Sequence, residues 1–189
     1  VDKWEKEYVS RADWESRENA NTNISFGAFV GYIVSKILKD PAVLSKYLSP
    51  DIVKMHNNGD IHIHKLPLSL YIPYCSGWSI SNIFKIGLKT PTVISNPAKH
   101  FDTAISHVVN FFFLIANEWS GAQATSGFDL LVAPFARHDN LSGREIRQIL
   151  QRLVFELNYP SRIGFQSPFT NITIVMDLIN EYLSNEAIV

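Results

Sequence analysis

Apolar residues return every third or fourth position through most of this chain, the period of helices that bury one face. The series Phe26, Phe29, Val30, Ile33, Val34 and Ile37 predicts one such helix, capped by Asn23 or Ser25 and ended by Pro41. Gly27, Gly31 and Ser35 lie four apart on one side of it, where small residues let another helix approach. Upstream, residues 1–20 are charged and begin as helix until the asparagine cluster at 19–23 interrupts them. Short helices follow over 42–47 and 50–57, the second closed by Asn57-Asn58-Gly59 as a left-handed cap. Residues 79–88 read as a short amphipathic helix closed by Gly87, and 89–97 as a loop. The longest helix is predicted over 98–119. Its apolar positions, from Phe101 through Phe112 to Ala116, wrap more than half the cylinder, so it must be nearly surrounded by protein. One small sheet cannot cover that surface, and a subunit interface is expected there. Lys99, His100, Asp102, His107, Asn110 and Asn117 form its polar strip. A helical run over 129–137 breaks around Pro134. A capping box, Ser142 with Glu145, opens a helix to 157 with a buried stripe of Ile146, Ile149, Leu150, Leu153, Val154 and Leu157.

Period two is rarer. Ile61 and Ile63 alternate with His62 and His64, which predicts a short strand with both imidazoles on one face. A buried-looking run over 68–74 then delivers Cys75 at a strand end. The β-branched residues of 170–176 predict a second strand. Between them, residues 121–127 form a loop of small residues, which lets backbone approach a ligand or another chain. The class is α/β and helix-rich. Two strands cannot close a sheet, so the polypeptide is expected to continue past Val189. No repeat, linker or low-complexity tract divides residues 1–189, which read as a single segment.

Composition narrows the chemistry. With 46% hydrophobic and 19% charged residues the chain is globular, and a net charge of -1 gives no footprint for a nucleic-acid partner. A single cysteine excludes an internal disulfide and fits a reducing compartment. The apolar run over 108–116 is too short for a bilayer and no signal peptide is visible, so a soluble, cytoplasmic protein is expected without membrane partners. A metal-dependent enzyme would use His62 and His64 with His56 or Cys75, but only Asp60 offers a carboxylate nearby, and no metal is assigned. A Cys–His hydrolase lacks an evident oxyanion hole after Cys75. Neither GxxxxGK[ST] nor GxGxxG occurs.

Several strings occur together and in order. They are Asp13-Trp14-x-x-x-Glu18-Asn19-Ala20-Asn21, Gly59-Asp60-Ile61-His62-Ile63-His64 and Tyr74-Cys75-Ser76-Gly77-Trp78-Ser79. Next come Pro97-Ala98-Lys99-His100-Phe101-Asp102-Thr103-Ala104, Glu118-Trp119-Ser120-Gly121-Ala122-Gln123-Ala124, Ala133-Pro134-Phe135 and Gly164-Phe165-Gln166-Ser167-Pro168-Phe169-Thr170-Asn171. The whole resembles the anaerobic, oxygen-sensitive (class III) ribonucleoside-triphosphate reductases. The resemblance implies a glycyl-radical enzyme, with this chain as the helix-rich N-terminal half of a ten-stranded α/β barrel.

In that family a thiyl radical on a finger loop takes the 3′ hydrogen of ribose, and a second cysteine on the first barrel strand helps to reduce the 2′ position. The match places Cys75 at the second cysteine. It implies substrate contacts from His62, His64, Gln166, Ser167, Thr170 and Asn171, and a deoxynucleotide or ATP effector beside Lys99 and His100 at a dimer interface. For the whole enzyme it implies a ribonucleoside triphosphate substrate and a homodimer. It also implies an iron-sulfur, S-adenosylmethionine activase that generates the glycyl radical, formate or a thiol as reductant, and zinc in a C-terminal part. Lys65 stands where the family usually has Asp. No ATP-cone, finger loop, zinc site or glycyl-radical domain is expected within 1–189, and the segment alone is expected to be inactive. The alternative is a non-catalytic fragment that dimerises and holds a nucleotide.

Overall fold

The computed structural model describes residues 2–11 and 23–175. The Asp13-to-Asn21 motif, most of the asparagine cluster, and Met176 at the end of the second predicted strand lie outside the described residues. Two units divide the chain, Val1–Tyr74 with Ser161–Gln166, and Cys75–Pro160 with Ser167–Val189.

In the first unit, α1 (Asp2–Ser10) and α2 (Phe26–Leu38) meet through Tyr8. Its buried ring lies 5.3 Å from Phe29 and 5.4 Å from Tyr32. Its hydroxyl accepts the Ser25 N–H at 3.3 Å, while Ser25 Oγ caps α2 by accepting the Ala28 N–H at 3.1 Å. Ser25, and not Asn23, is therefore the cap. A Cβ at Gly27 would come within 2.8 Å of Ile163 Cγ2, so that exposed side chain would have to shift, whereas Gly31 faces open space. The apolar residues Phe26, Val30, Val34 and Ile37 remain exposed. Asp40 and Ser49 cap α3 (Pro41–Leu44) and α4 (Pro50–Asn58), and Gly59 ends α4 at φ +84, the left-handed cap the sequence calls for.

The second unit contains β1 (Ser76–Trp78), α5 (Ser81–Ile86), α6 (Phe101–Glu118), β2 (Gln123–Thr125), α7 (Phe128–His138), α8 (Gly143–Leu157) and β3 (Thr170–Ile172). The strands form a parallel sheet in the order β1-β2-β3. Parallel neighbours need crossovers, which α5 with α6 and α7 with α8 provide. Helix α6 packs on α5, α7, α8 and β2, and buries Phe101, Ala104, Ile105, Val108, Val109, Phe112, Ile115 and Ala116. Its own unit thus supplies most of the cover that the sequence assigned to a second subunit. Phe84, Phe112 and Phe135 are fully buried around it, with the Phe84 and Phe135 rings 5.0 Å apart.

Three expectations change in this unit. Two strands are absent from the prediction: β1 starts just after Cys75, which was expected at a strand's end, and β2 runs through the small-residue loop. Helix α7 does not break at Pro134, because that residue is buried in the core contact and its burial offsets the one backbone bond it cannot make. On α8 the buried stripe is narrower than its pattern, with Leu153 and Leu157 buried but Val154 59% exposed.

Candidate functional site

Residues 60–64 form no strand. After Gly59 the backbone N–H groups of Asp60 and Ile61 turn back to Met55 O at 2.9 and 3.4 Å, and the Ile63 N–H is taken by His56 Nδ1 at 3.2 Å. Donors that a ladder would need are spent on the end of α4. The two imidazoles nevertheless meet, with His62 Nε2 3.4 Å from His64 Nδ1, and the His64 ring lies edge-on to Tyr74 at 4.3 Å. Both histidines are exposed. Among the described residues, His56, His62 and His64 do not converge with a carboxylate on a three-donor set. Gln166, in the same unit, is half-buried, and its carbonyl accepts the Arg162 N–H at 2.9 Å across a turn with Gly164 at φ +80.

Cys75 lies in the second unit, one residue before β1, and is exposed. The run before it is a short 3-10 turn, Leu68–Leu70, leaving Tyr71, Ile72 and Tyr74 exposed where burial was expected. The Ala122 N–H donates to Cys75 Sγ at 3.2 Å, fixing the sulfur against the start of β2. Register carries that position across the sheet. Ser76 pairs with Gln123 and Gln123 with Thr170, while Gly77 pairs with Ala124 and Ala124 with Asn171. Alternation therefore sorts the strands into two faces. Gln123 and Thr125 are fully buried on the face toward α6, where Gln123 Oε1 accepts the Trp78 indole N–H at 2.7 Å. On the other face Gly77 and Asn171 are exposed and Ala124 is half-buried. A Cβ at Gly77 would meet nothing within 4 Å. With strands about 4.8 Å apart, Gly77 and Asn171 stand roughly 10 Å from each other on this open face. Thr170 is half-buried on the other face, and Ser167 is half-buried ahead of β3.

Lys99 and His100 are exposed at the start of α6. His100 is the N-cap residue but its side chain does not cap. Asp139, at the end of α7, performs that task. Its Oδ2 accepts the Phe101 N–H at 2.7 Å, and its Oδ1 faces His100 Nδ1 at 2.8 Å and His138 Nδ1 at 3.1 Å. The Phe101 N–H is the main cause that holds the Asp139 carboxyl down at about 2; desolvation opposes it, and the two histidines add to it. His107, placed on the polar strip by its spacing, is buried; its Nδ1 has no partner and burial lowers its pKa. Asp139 was not singled out by the sequence reading, and Gln123 entered it only as a member of the Glu118-to-Ala124 string. An isolated aspartate after a helix and a glutamine in a three-residue strand carry no periodic signal.

The model of the family described as anaerobic ribonucleoside-triphosphate reductase matches residues 18–187. Comparison with curated proteins finds no match. The anaerobic ribonucleotide reductase of Thermotoga maritima in complex with dATP and CTP is 31% identical over 65% of this chain and 22% of its own, with a TM-score of 0.58. The same organism's enzyme with dATP in the specificity site is 26% identical over 73% of this chain and 28% of its own, with a TM-score of 0.59. Another anaerobic ribonucleotide reductase structure shares the fold over 98% of this chain and 35% of its own, at 24% identity and a TM-score of 0.68. The chain thus spans well under half the length of these neighbours. With its helix-rich α/β fold, a motif order that runs from residue 13 to residue 171 and a family match over 18–187, this chain belongs to the anaerobic ribonucleoside-triphosphate reductase family.

Proposed function

We propose that this chain forms part of the catalytic polypeptide of an anaerobic ribonucleoside-triphosphate reductase, with Cys75 as the thiol that assists reduction at the 2′ position of ribose. The placement of Cys75 carries this reading. A hydrogen-atom donor needs a weak S–H bond, a fixed sulfur and room for a sugar beside it. Cysteine brings the first, the Ala122 N–H at 3.2 Å supplies the second, and the open face at Gly77 supplies the third. Asn171, on that face, is assigned to substrate. Ser167 and Thr170, the latter on the opposite face of β3, are kept as substrate residues on the family pattern, as are His62, His64 and Gln166.

For the whole enzyme the reading includes a ribonucleoside triphosphate substrate, and a deoxynucleotide or ATP effector whose phosphates are met by Lys99 and His100 at the start of α6. The dATP and CTP bound by the Thermotoga enzyme support these two nucleotide roles. It further includes a homodimer, a cytoplasmic location, an activase of the iron-sulfur, S-adenosylmethionine type, and formate or a thiol as reductant. The three parallel strands would be part of one half of the ten-stranded barrel. The chain's one cysteine offers neither a second thiol nor a cysteine cluster for zinc. The thiyl initiator and the zinc are therefore assigned to other parts of the reductase, and the glycyl radical is placed there on the family pattern.

Alkylation tests the reading without any need for the radical. In the complete reductase, iodoacetamide modification of Cys75, followed by mass spectrometry, should slow several-fold when ribonucleoside triphosphate is bound. Modification at the same rate with and without saturating substrate would contradict the assignment.

A further inference from the structure

Among the described residues, His100, His138 and Asp139 present three potential ligand atoms within 4.8 Å of one another. We propose that they form a surface site for a borderline divalent transition metal such as zinc, cobalt or nickel, joining the first turn of α6 to the last turn of α7. Neither the motif pattern nor the reductase reading assigns a metal here.

The geometry of the carboxylate is the main support. Asp139 Oδ2 is occupied by the Phe101 N–H at 2.7 Å, so backbone fixes the group and leaves Oδ1 as its outward donor. That oxygen lies 2.8 Å from His100 Nδ1 and 3.1 Å from His138 Nδ1. Ligands about 2.0–2.2 Å from a metal stand about 3.0–3.5 Å from each other, so both short edges of the triangle need to open by only a few tenths of an ångström. The His100 and His138 side chains are 64% and 53% exposed, which leaves the rings free to close the third edge. Asp139 is only 14% exposed and does not need to move.

On metal binding each neutral imidazole carries its proton on Nε2, so Nδ1 turns its lone pair to the metal, and the carboxylate supplies the negative charge. Two imidazole nitrogens with one carboxylate oxygen suit zinc, cobalt or nickel. They do not suit magnesium, which prefers oxygen ligands throughout. Water fills the remaining positions at this surface. The Phe101 hydrogen bond orients the carboxylate as outer-shell partners do in metal sites.

Equilibrium dialysis with zinc at pH 7.5, without nucleotide, tests the site independently of the effector reading. The protein should bind a zinc equivalent that His100→Ala and His138→Ala each lose, with both variants retaining the wild-type far-ultraviolet circular dichroism. A His62→Ala, His64→Ala double variant should keep that equivalent, and excess magnesium should not displace it. Zinc should also raise the melting temperature of the parent protein but not of His138→Ala. Absence of zinc binding, retention of full binding by His138→Ala, or loss of it in the His62, His64 double variant would each overturn the proposal. His138 caps nothing and is exposed, so its replacement keeps the test valid even if His100→Ala fails to fold.

Discussion

At the scale of single residues, His107 is the least expected feature of the long helix. Its spacing put it on a polar strip, yet it is buried with Nδ1 unpartnered. Burial disfavours the imidazolium, so its folded pKa lies below the usual value of 6.5. The unfolded chain takes up the proton first, so this group's contribution is complete above 6.5 and is lost as pH falls toward the folded pKa. Melting temperature should therefore drop between pH 7.5 and 5.5, and the drop should be smaller in His107→Leu. An identical pH slope in the two proteins would show that His107 is not buried as described. Gly87 makes a second residue-scale case. It has φ +79 and ψ -179, a region held almost only by glycine, and a Cβ would collide with the Ser95 carbonyl oxygen. Gly87→Ala should cost at least about 2 kcal/mol in denaturant unfolding. A loss within experimental error would mean that the 87–97 segment takes another path.

At the scale of elements, the sheet decides what the site can do. Parallel register places Gly77, Ala124 and Asn171 in one row on the open face and sends Gln123 and Thr125 into the core. Gly77 has open space where its side chain would be, and valine is a good strand residue. Gly77→Val should therefore leave the melting temperature unchanged or slightly higher. If ribose lies on this face, the same variant in the complete reductase should raise KM strongly or abolish turnover. Full activity would move the substrate elsewhere. The elements themselves were unevenly legible. Helices with caps and three-four spacing, such as α2 with Ser25 and α8 with its capping box, were readable because their signals are local. Strand β2 was not, since three residues of a parallel strand take their identity from neighbours 45 or more positions away. The His62 and His64 pair shows the converse: a period-two pattern was present, but the N–H groups that would make a ladder close the end of α4 instead.

For the whole molecule, ordered motifs carried more than any single pattern. Cys75 alone reads as a core thiol, and His62 with His64 as a structural pair; only their sequence order with the later strings points to a reductase, and the family match over 18–187 agrees. The contacts of Asp139 with Phe101 and His100 could not be read this way, because they join residues 38 and 39 positions apart and Asp139 belongs to none of the strings. The account stands or falls on Cys75. Serine in its place is close to isosteric, and its O–H bond is too strong to give up a hydrogen atom readily to a carbon radical. The decisive measurement is deoxynucleotide formation by the complete, activated reductase carrying Cys75→Ser, made alongside its melting temperature. The account predicts a variant that melts within a few degrees of the parent and forms no deoxynucleotide above background. A variant that turns over in proportion to its folded fraction would contradict it.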